Sequence, residues 1–171
     1  MIRYILPLAV LSITLSGFEK GDDLLKDRRY AASHECLTQA NAERILGLPA
    51  KAMEHSTKER GGVTQFSCTY TAVDKAANKT SNLYYVYEEY KTPESAHAAY
   101  EEMVSSNASM PGQTKIDSIG DETWLHTDRG NFDLVMSRKK NHMVRIKVNK
   151  ITSKTSLQAL LQFMKDITSE M

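Results

Sequence analysis

Residues 132–150 read Phe-Asp-Leu-Val-Met-Ser-Arg-Lys-Lys-Asn-His-Met-Val-Arg-Ile-Lys-Val-Asn-Lys, and this stretch decides the fold class. Val144, Ile146 and Val148 fall on one side of an extended chain and Arg145, Lys147 and Asn149 on the other, which is the period of a half-buried strand. Lys140-Asn141 supplies a tight turn between this run and Phe132–Lys139, so the two runs pair antiparallel. One apolar and one polar side per strand describes an antiparallel sheet with a buried face and a wet face.

Moving outward from that hairpin, Glu122–Thr127 and Thr114–Ile119 read as two more strands, with Gly120-Asp121 and Asp128-Arg-Gly-Asn131 at their turns. Beyond the Gly61-Gly62 turn, Phe66, Cys68, Tyr70 and Ala72 alternate with Gln65, Ser67, Thr69 and Thr71. A polar loop then leads to Asn82-Leu-Tyr-Tyr-Val-Tyr-Glu-Glu-Tyr90, rich in strand-favouring side chains. Three helices are legible from their ends. Thr38 caps Gln39–Leu46 before Gly47, and Thr92-Pro93 opens a helix with Ala96, Ala99, Tyr100 and Met103 on one stripe. The third starts within Ser153–Ser156 and repeats Leu157, Leu160, Leu161, Met164 and Ile167 at helical spacing. The order lacks the strand–helix alternation of a parallel doubly wound sheet. We expect an α+β fold: a twisted antiparallel sheet of about six strands with helices packed on one face.

The N-terminus carries a different signal. Met1-Ile-Arg3 precedes an apolar run from Tyr4 to Leu15, followed by Ser16-Gly17 and the charged Glu19-Lys20-Gly21-Asp22-Asp23, the order of a secretory signal peptide. The run is shorter than the roughly 20 residues that span a bilayer, and Pro7 interrupts it. Residues 1–17 are therefore read as a signal peptide, 18–35 as an exposed leader and 36–171 as a single α+β domain. The expected location is periplasmic or extracellular, with no stable membrane span after cleavage; a retained tether and a buried N-terminal element are the alternatives.

Cys36 and Cys68 are the two cysteines of the chain, and in an oxidising compartment such a pair forms a disulfide. Two buried thiols or a redox couple are the alternatives, although a redox couple is normally spaced Cys-x-x-Cys. Hydrophobic residues make up 41% of the chain and the net charge is +1, which excludes a disordered polymer. Removal of the signal peptide takes away Arg3 and leaves a neutral protein, so global charge points to neither nucleic acid nor membrane. The charge is nevertheless uneven. Between Asp133 and Asp166 lie eight lysines or arginines and no acid, whereas Val86 to Glu102 holds five glutamates and one lysine.

Cys36-Leu-Thr-Gln-Ala-Asn-Ala-Glu-Arg-Ile-Leu-Gly-Leu-Pro49, Ser67-Cys-Thr-Tyr70, Ile119-Gly-Asp-Glu122 and the Lys139-Lys-Asn141 turn together resemble small secreted bacterial proteins and lipoproteins of unknown function. The resemblance runs over about residues 36 to 167 as an order of elements. It implies an exported domain and supplies no catalytic residues; the lipobox cysteine of many such proteins is missing here.

No phosphate-cradling glycine loop, Gly-x-Ser-x-Gly elbow or His-Glu-x-x-His stretch occurs, and neither cofactor nor metal is expected. His126-Thr-Asp128, with Ser118 or Ser137 nearby, is the alternative reading as a hydrolase site. In Gly120-Asp-Glu-Thr-Trp124 the tryptophan reads as a core anchor, and the adjacent carboxylates should point to opposite faces. Tyr84 and Tyr90 should face away from Tyr85 and Tyr87. The leading expectation is a non-enzymatic exported domain that binds a protein partner or a small-molecule ligand on its open sheet face, with Tyr84, Arg145 and Lys147 as contacts. A purely structural envelope protein is the third reading.

Overall fold

The computed structural model describes residues 36–171, so the stretches expected to be a signal peptide, 1–17, and a leader, 18–35, lie outside the described residues. α1 (Gln39–Leu46) starts at Thr38, whose hydroxyl accepts the Asn41 N–H, and ends at Gly47 in the left-handed conformation. Three strands follow, β1 (Ala50–Arg60), β2 (Val63–Asp74) and β3 (Lys79–Glu89). α2 (Pro93–Ser106) opens on a capping box between Thr92 and Ser95 with Pro93 in its first turn. Then come β4 (Gln113–Lys115), β5 (Glu122–Thr127), β6 (Phe132–Lys139), β7 (His142–Asn149) and α3 (Leu157–Ser169), the last capped by Ser156.

All neighbouring strands are antiparallel, in the order β1-β2-β3-β7-β6-β5-β4. Two meanders, β1–β3 and β4–β7, thus join along β3 and β7, and α2 carries the chain between them. The α+β antiparallel class is as expected, with seven strands in place of about six. The additional one is β1. Its sequence, Ala-Lys-Ala-Met-Glu-His-Ser-Thr-Lys-Glu-Arg, is exposed along almost its whole length and offers no alternation to read. It becomes a strand because Gly61 and Gly62, at φ 62° and 78°, make the two-residue turn that folds it back on β2.

β4 stops at Lys115, short of the run expected to reach Ile119, because the chain must turn at Gly120 to enter β5. Gly120 has φ 59°, and a Cβ there would lie 2.5 Å from the Ser137 hydroxyl and 2.7 Å from the Arg138 carbonyl oxygen.

One sheet face carries Tyr70, Leu83, Tyr85, Val135, Val144, Ile146 and Val148 against Ile45 and Leu46 of α1 and Leu160 and Met164 of α3. Burying each of these large side chains contributes about 1.5–3 kcal/mol, and together they form the main core. The helices do not all share that face, which corrects the expectation. The stripe of α2 meets Trp124, Met136 and Met143 on the other side of the sheet. The reason lies in β5–β7, where Trp124, Met136 and Met143 each stand beside a core residue of opposite parity, Leu125, Val135 and Val144. These strands are apolar on both sides, and a second layer is needed to bury the second side.

Candidate functional site

On the face turned away from α1 and α3, register aligns side chains in rows across the strands. One row is Thr69, Tyr84, Lys147, Leu134 and His126. The next is Ser67, Val86, Arg145, Met136 and Trp124, followed by Gln65, Glu88, Met143, Arg138 and Glu122. Tyr84, Arg145 and Lys147 therefore share one face, with Tyr84 directly opposite Lys147. Tyr85 and Tyr87 are buried in the main core.

α2 lies over the rows of Glu88 and Arg145, and Leu134 of the next row packs against the edge of the same cluster. There the Glu88 carboxylate accepts from Arg145 Nη2 at 2.7 Å, Gln65 Nε2 at 2.9 Å and Tyr90 Oη at 3.1 Å. Burial pushes the Tyr90 hydroxyl well above its ordinary value, and the neighbouring Glu88 charge adds to this. Arg145 also lays Nη1 against the Met103 sulfur at 3.7 Å, and its Nε is buried without a hydrogen-bond partner. This guanidinium is committed to partners within the fold, with a quarter of the side chain still exposed at the margin of α2.

At the same end, Arg138 binds Asp121 through Nη1 at 3.2 Å and Glu122 through Nε. The two adjacent carboxylates were expected on opposite faces; they converge because Asp121 still belongs to the turn, where strand alternation does not apply. Burial pushes Glu122 up, but the hydrogen bonds from Arg138 and His97 outweigh it and hold the carboxyl below its ordinary value. His97, Glu101 and Glu122 each bring one ligand-type atom within 4.8 Å of the others. The Arg138 guanidinium already takes the Glu122 oxygen that faces His97.

Beyond the shadow of α2 the face is open. Tyr84 is 39% exposed. The Lys147 ammonium lies 5.3 Å from the centroid of the Phe132 ring and has no carboxylate within ion-pair distance among the described residues. Around it the floor is neutral and hydrogen-bonded: Thr71 Oγ1 donates to Asn82 Oδ1 at 2.8 Å, and the Ser56 and Ser67 hydroxyls meet at 2.8 Å. Phe132 was not singled out in the sequence. Its signal was present in the alternation of Phe132, Leu134 and Met136 against Val135, which places it beside Lys147.

Four cations of the basic run, Arg138, Lys139, Arg145 and Lys154, have carboxylate partners, namely Glu122 and Asp121, Asp121, Glu88 and Asp74. The run is therefore divided between paired and unpaired cations and does not form one continuous basic patch.

The His126–Asp128 pair is not assembled as a catalytic unit. His126 is buried, with ring centroids of Trp124 at 5.3 Å and Phe132 at 4.9 Å. Asp128 accepts from the Asn131 side chain at 2.8 Å and from the N–H groups of Asn131, Phe132 and Gly130 at 2.7, 3.0 and 3.1 Å. These donors close the β5–β6 turn and hold the Asp128 carboxyl far below its ordinary value. Ser137 lies on the opposite sheet face from His126, where its hydroxyl accepts from Thr123 Oγ1 at 2.7 Å. Ser118 sits in the exposed turn before Gly120.

Cys36 and Cys68 are joined by a disulfide that ties the chain ahead of α1 to β2, with Cα atoms 5.8 Å apart. Next to it Tyr70 Oη donates to the Leu37 carbonyl at 2.6 Å. The bond is compatible with an exported protein. No known protein family, curated protein or solved structure matches the chain.

Proposed function

We propose that the protein is an exported, non-enzymatic binding domain whose open sheet face receives an acidic segment of a partner protein, with Tyr84 and Lys147 at the centre and Arg145 at the covered margin. The observation that carries this reading is the state of Lys147. Four cations of the same run found carboxylates within the fold, whereas Lys147 is held over an aromatic ring where the side chains of β2 and β3 beside it are uncharged, and Glu54 and Lys58 of the same face stand further out on β1. The cation–π contact is worth about 0.5–1 kcal/mol at such a site and leaves ammonium protons to donate. An incoming carboxylate would gain a charge-assisted hydrogen bond from Lys147, and an apolar neighbour on the same segment would cover Tyr84 and Leu134. Export is supported by the signal-like N-terminus together with the Cys36–Cys68 bond.

Titration of the isotope-labelled protein with synthetic peptides that alternate glutamate and leucine tests this by nuclear magnetic resonance. Amide shifts are expected at Thr69, Asn82, Tyr84, Leu134 and Lys147, and they should vanish in Lys147→Glu. No shifts on this face, or the same shifts in Lys147→Glu, would overturn the proposal.

A further inference from the structure

We infer that two copies of this chain pair edge to edge through β1, making one continuous antiparallel sheet about a two-fold axis normal to it. β1 is the outermost strand, 11 residues long, and among the described residues no strand lies on its outer side. In a two-residue hairpin the flanking pair, here Arg60 and Val63, is hydrogen-bonded. By alternation Lys58, Ser56 and Glu54 also bond to β2, and Glu59, Thr57 and His55 turn their N–H and C=O groups outward. The register shift between Ala52 and Glu54 marks where regular pairing is interrupted. Among the described residues, Glu54–Arg60 is thus a regular free edge whose middle residue is Thr57.

Natural sheets guard such edges with charge, and charge guards an edge against its own copy only when like charges meet. On β1 they do not. With Thr57 facing Thr57 of the second copy, Glu54 falls opposite Arg60, His55 opposite Glu59 and Ser56 opposite Lys58, each relation occurring twice. Unlike charges directly opposite one another stabilise a strand pair, and like charges destabilise it. A register moved to centre on Ser56 sets Glu54 against Lys58, so it repels nothing either, but it must cross the irregularity at Met53. The Thr57 register alone uses the whole regular edge and nothing else.

A two-fold axis normal to the sheet keeps both open faces on the same side. Each Tyr84 is level with its own Glu54, so the two side chains are then about 24 Å apart across the sheet, at about 4.8 Å per strand, and about 20 Å apart along the strands, about 31 Å in all. This consequence, a bivalent binding surface, rests on the proposed function; the pairing itself does not.

Sedimentation equilibrium of the mature protein, over a wide concentration range, tests the pairing. A concentration-dependent dimer is expected. Glu54→Arg opposes like charges at two symmetric places and should weaken association about tenfold, and Glu54→Arg combined with Arg60→Glu should restore it. Thr57→Pro removes an outward N–H that β2 does not use, so it should abolish the dimer while the thermal midpoint of the monomer is kept. A monomer at every concentration overturns the inference, as does a dimer that survives Thr57→Pro and Glu54→Arg unchanged or a double variant as weak as the single one. Tyr84→Ala is expected to leave the dimer intact while losing the peptide shifts, which separates failure of the pairing from failure of the binding proposal.

Discussion

Arg145 and Lys147 stand two residues apart on β7, point to the same side of the sheet and meet different surroundings. Arg145 lies under α2, where Glu88, Gln65, Tyr90 and Met103 close around one ion pair. Lys147 lies outside that shadow and touches Phe132, with Tyr84 and Leu134 on either side in the register. A cation placed under a second layer needs a counter-charge, since an unpaired buried charge costs several kcal/mol. A cation at the open end has no such requirement and remains available. The difference teaches that two cations of one strand face part company by what the fold leaves unpaired rather than by residue type, and the proposed binding role falls to the unpaired one.

If the covered end carries stability and the open end carries binding, Trp124→Ala should have the largest effect. It removes the ring that joins α2 to Met136 and Met143 and the indole N–H that donates to Gln113 Oε1, so a loss of about 3–5 kcal/mol in urea unfolding is expected. A loss below about 1 kcal/mol would break the comparison at once, because α2 would then not be anchored there. Glu88→Ala comes next. It leaves the guanidinium, the Gln65 amide and the Tyr90 hydroxyl without their shared acceptor. With Arg145 still a quarter exposed, the cost is about 2–3 kcal/mol, and Glu88→Gln should recover part of it.

The covered end should also show in the pH dependence. The Glu122 carboxyl is held below its ordinary value of 4.5, so the stability it contributes is present above that unfolded-state value and is lost as the pH falls through it toward the lower folded value. In Arg138→Gln this acid arm of the unfolding profile should shrink. Burial, reinforced by the charges of Glu122 and Glu101, pushes the Tyr100 hydroxyl up to about 12, and burial with Glu89 does the same for Tyr87. For these groups the sign is reversed. Their contribution is complete below about pH 10 and is lost as the pH rises through the folded value of about 12. Ultraviolet difference titration of tyrosinate follows the alkaline arm, and ordinary titration of all tyrosines near pH 10 would contradict it.

What was legible in the sequence was local. Thr38 and Gly47 bound α1, Thr92-Pro93 opens α2, and alternation places β5, β6 and β7 within a residue of their ends. β1 was not legible, because a strand of polar side chains exists only through its partner. The face chosen by α2 was not legible either: its stripe shows that the helix is amphipathic, and only the doubled apolar character of β5–β7 shows where it goes. Alternation brought Tyr84, Arg145 and Lys147 to one face. Their neighbours came from elsewhere, since Glu88 reaches Arg145 across 57 residues and Phe132 reaches Lys147 from another strand. Register sets these contacts, and no short window of sequence contains it.

The smallest expected effects on stability sharpen the comparison most. Lys147→Ala gives up one exposed cation–π contact and should cost no more than about 1 kcal/mol. Tyr84→Ala gives up a cross-strand contact on a wet face and should cost about 0.5 kcal/mol. Both values lie well under that of Glu88→Ala two rows away, although all three residues point to the same side of the same sheet. Urea midpoints and peptide titrations measured on the same preparations separate the two roles: the open-end variants should keep the midpoint and lose the shifts. Lys147→Ala or Tyr84→Ala as damaging as Glu88→Ala would mean that Phe132, Lys147 and Tyr84 hold the sheet together. The open end would then be scaffold, and binding would have to be sought on another surface.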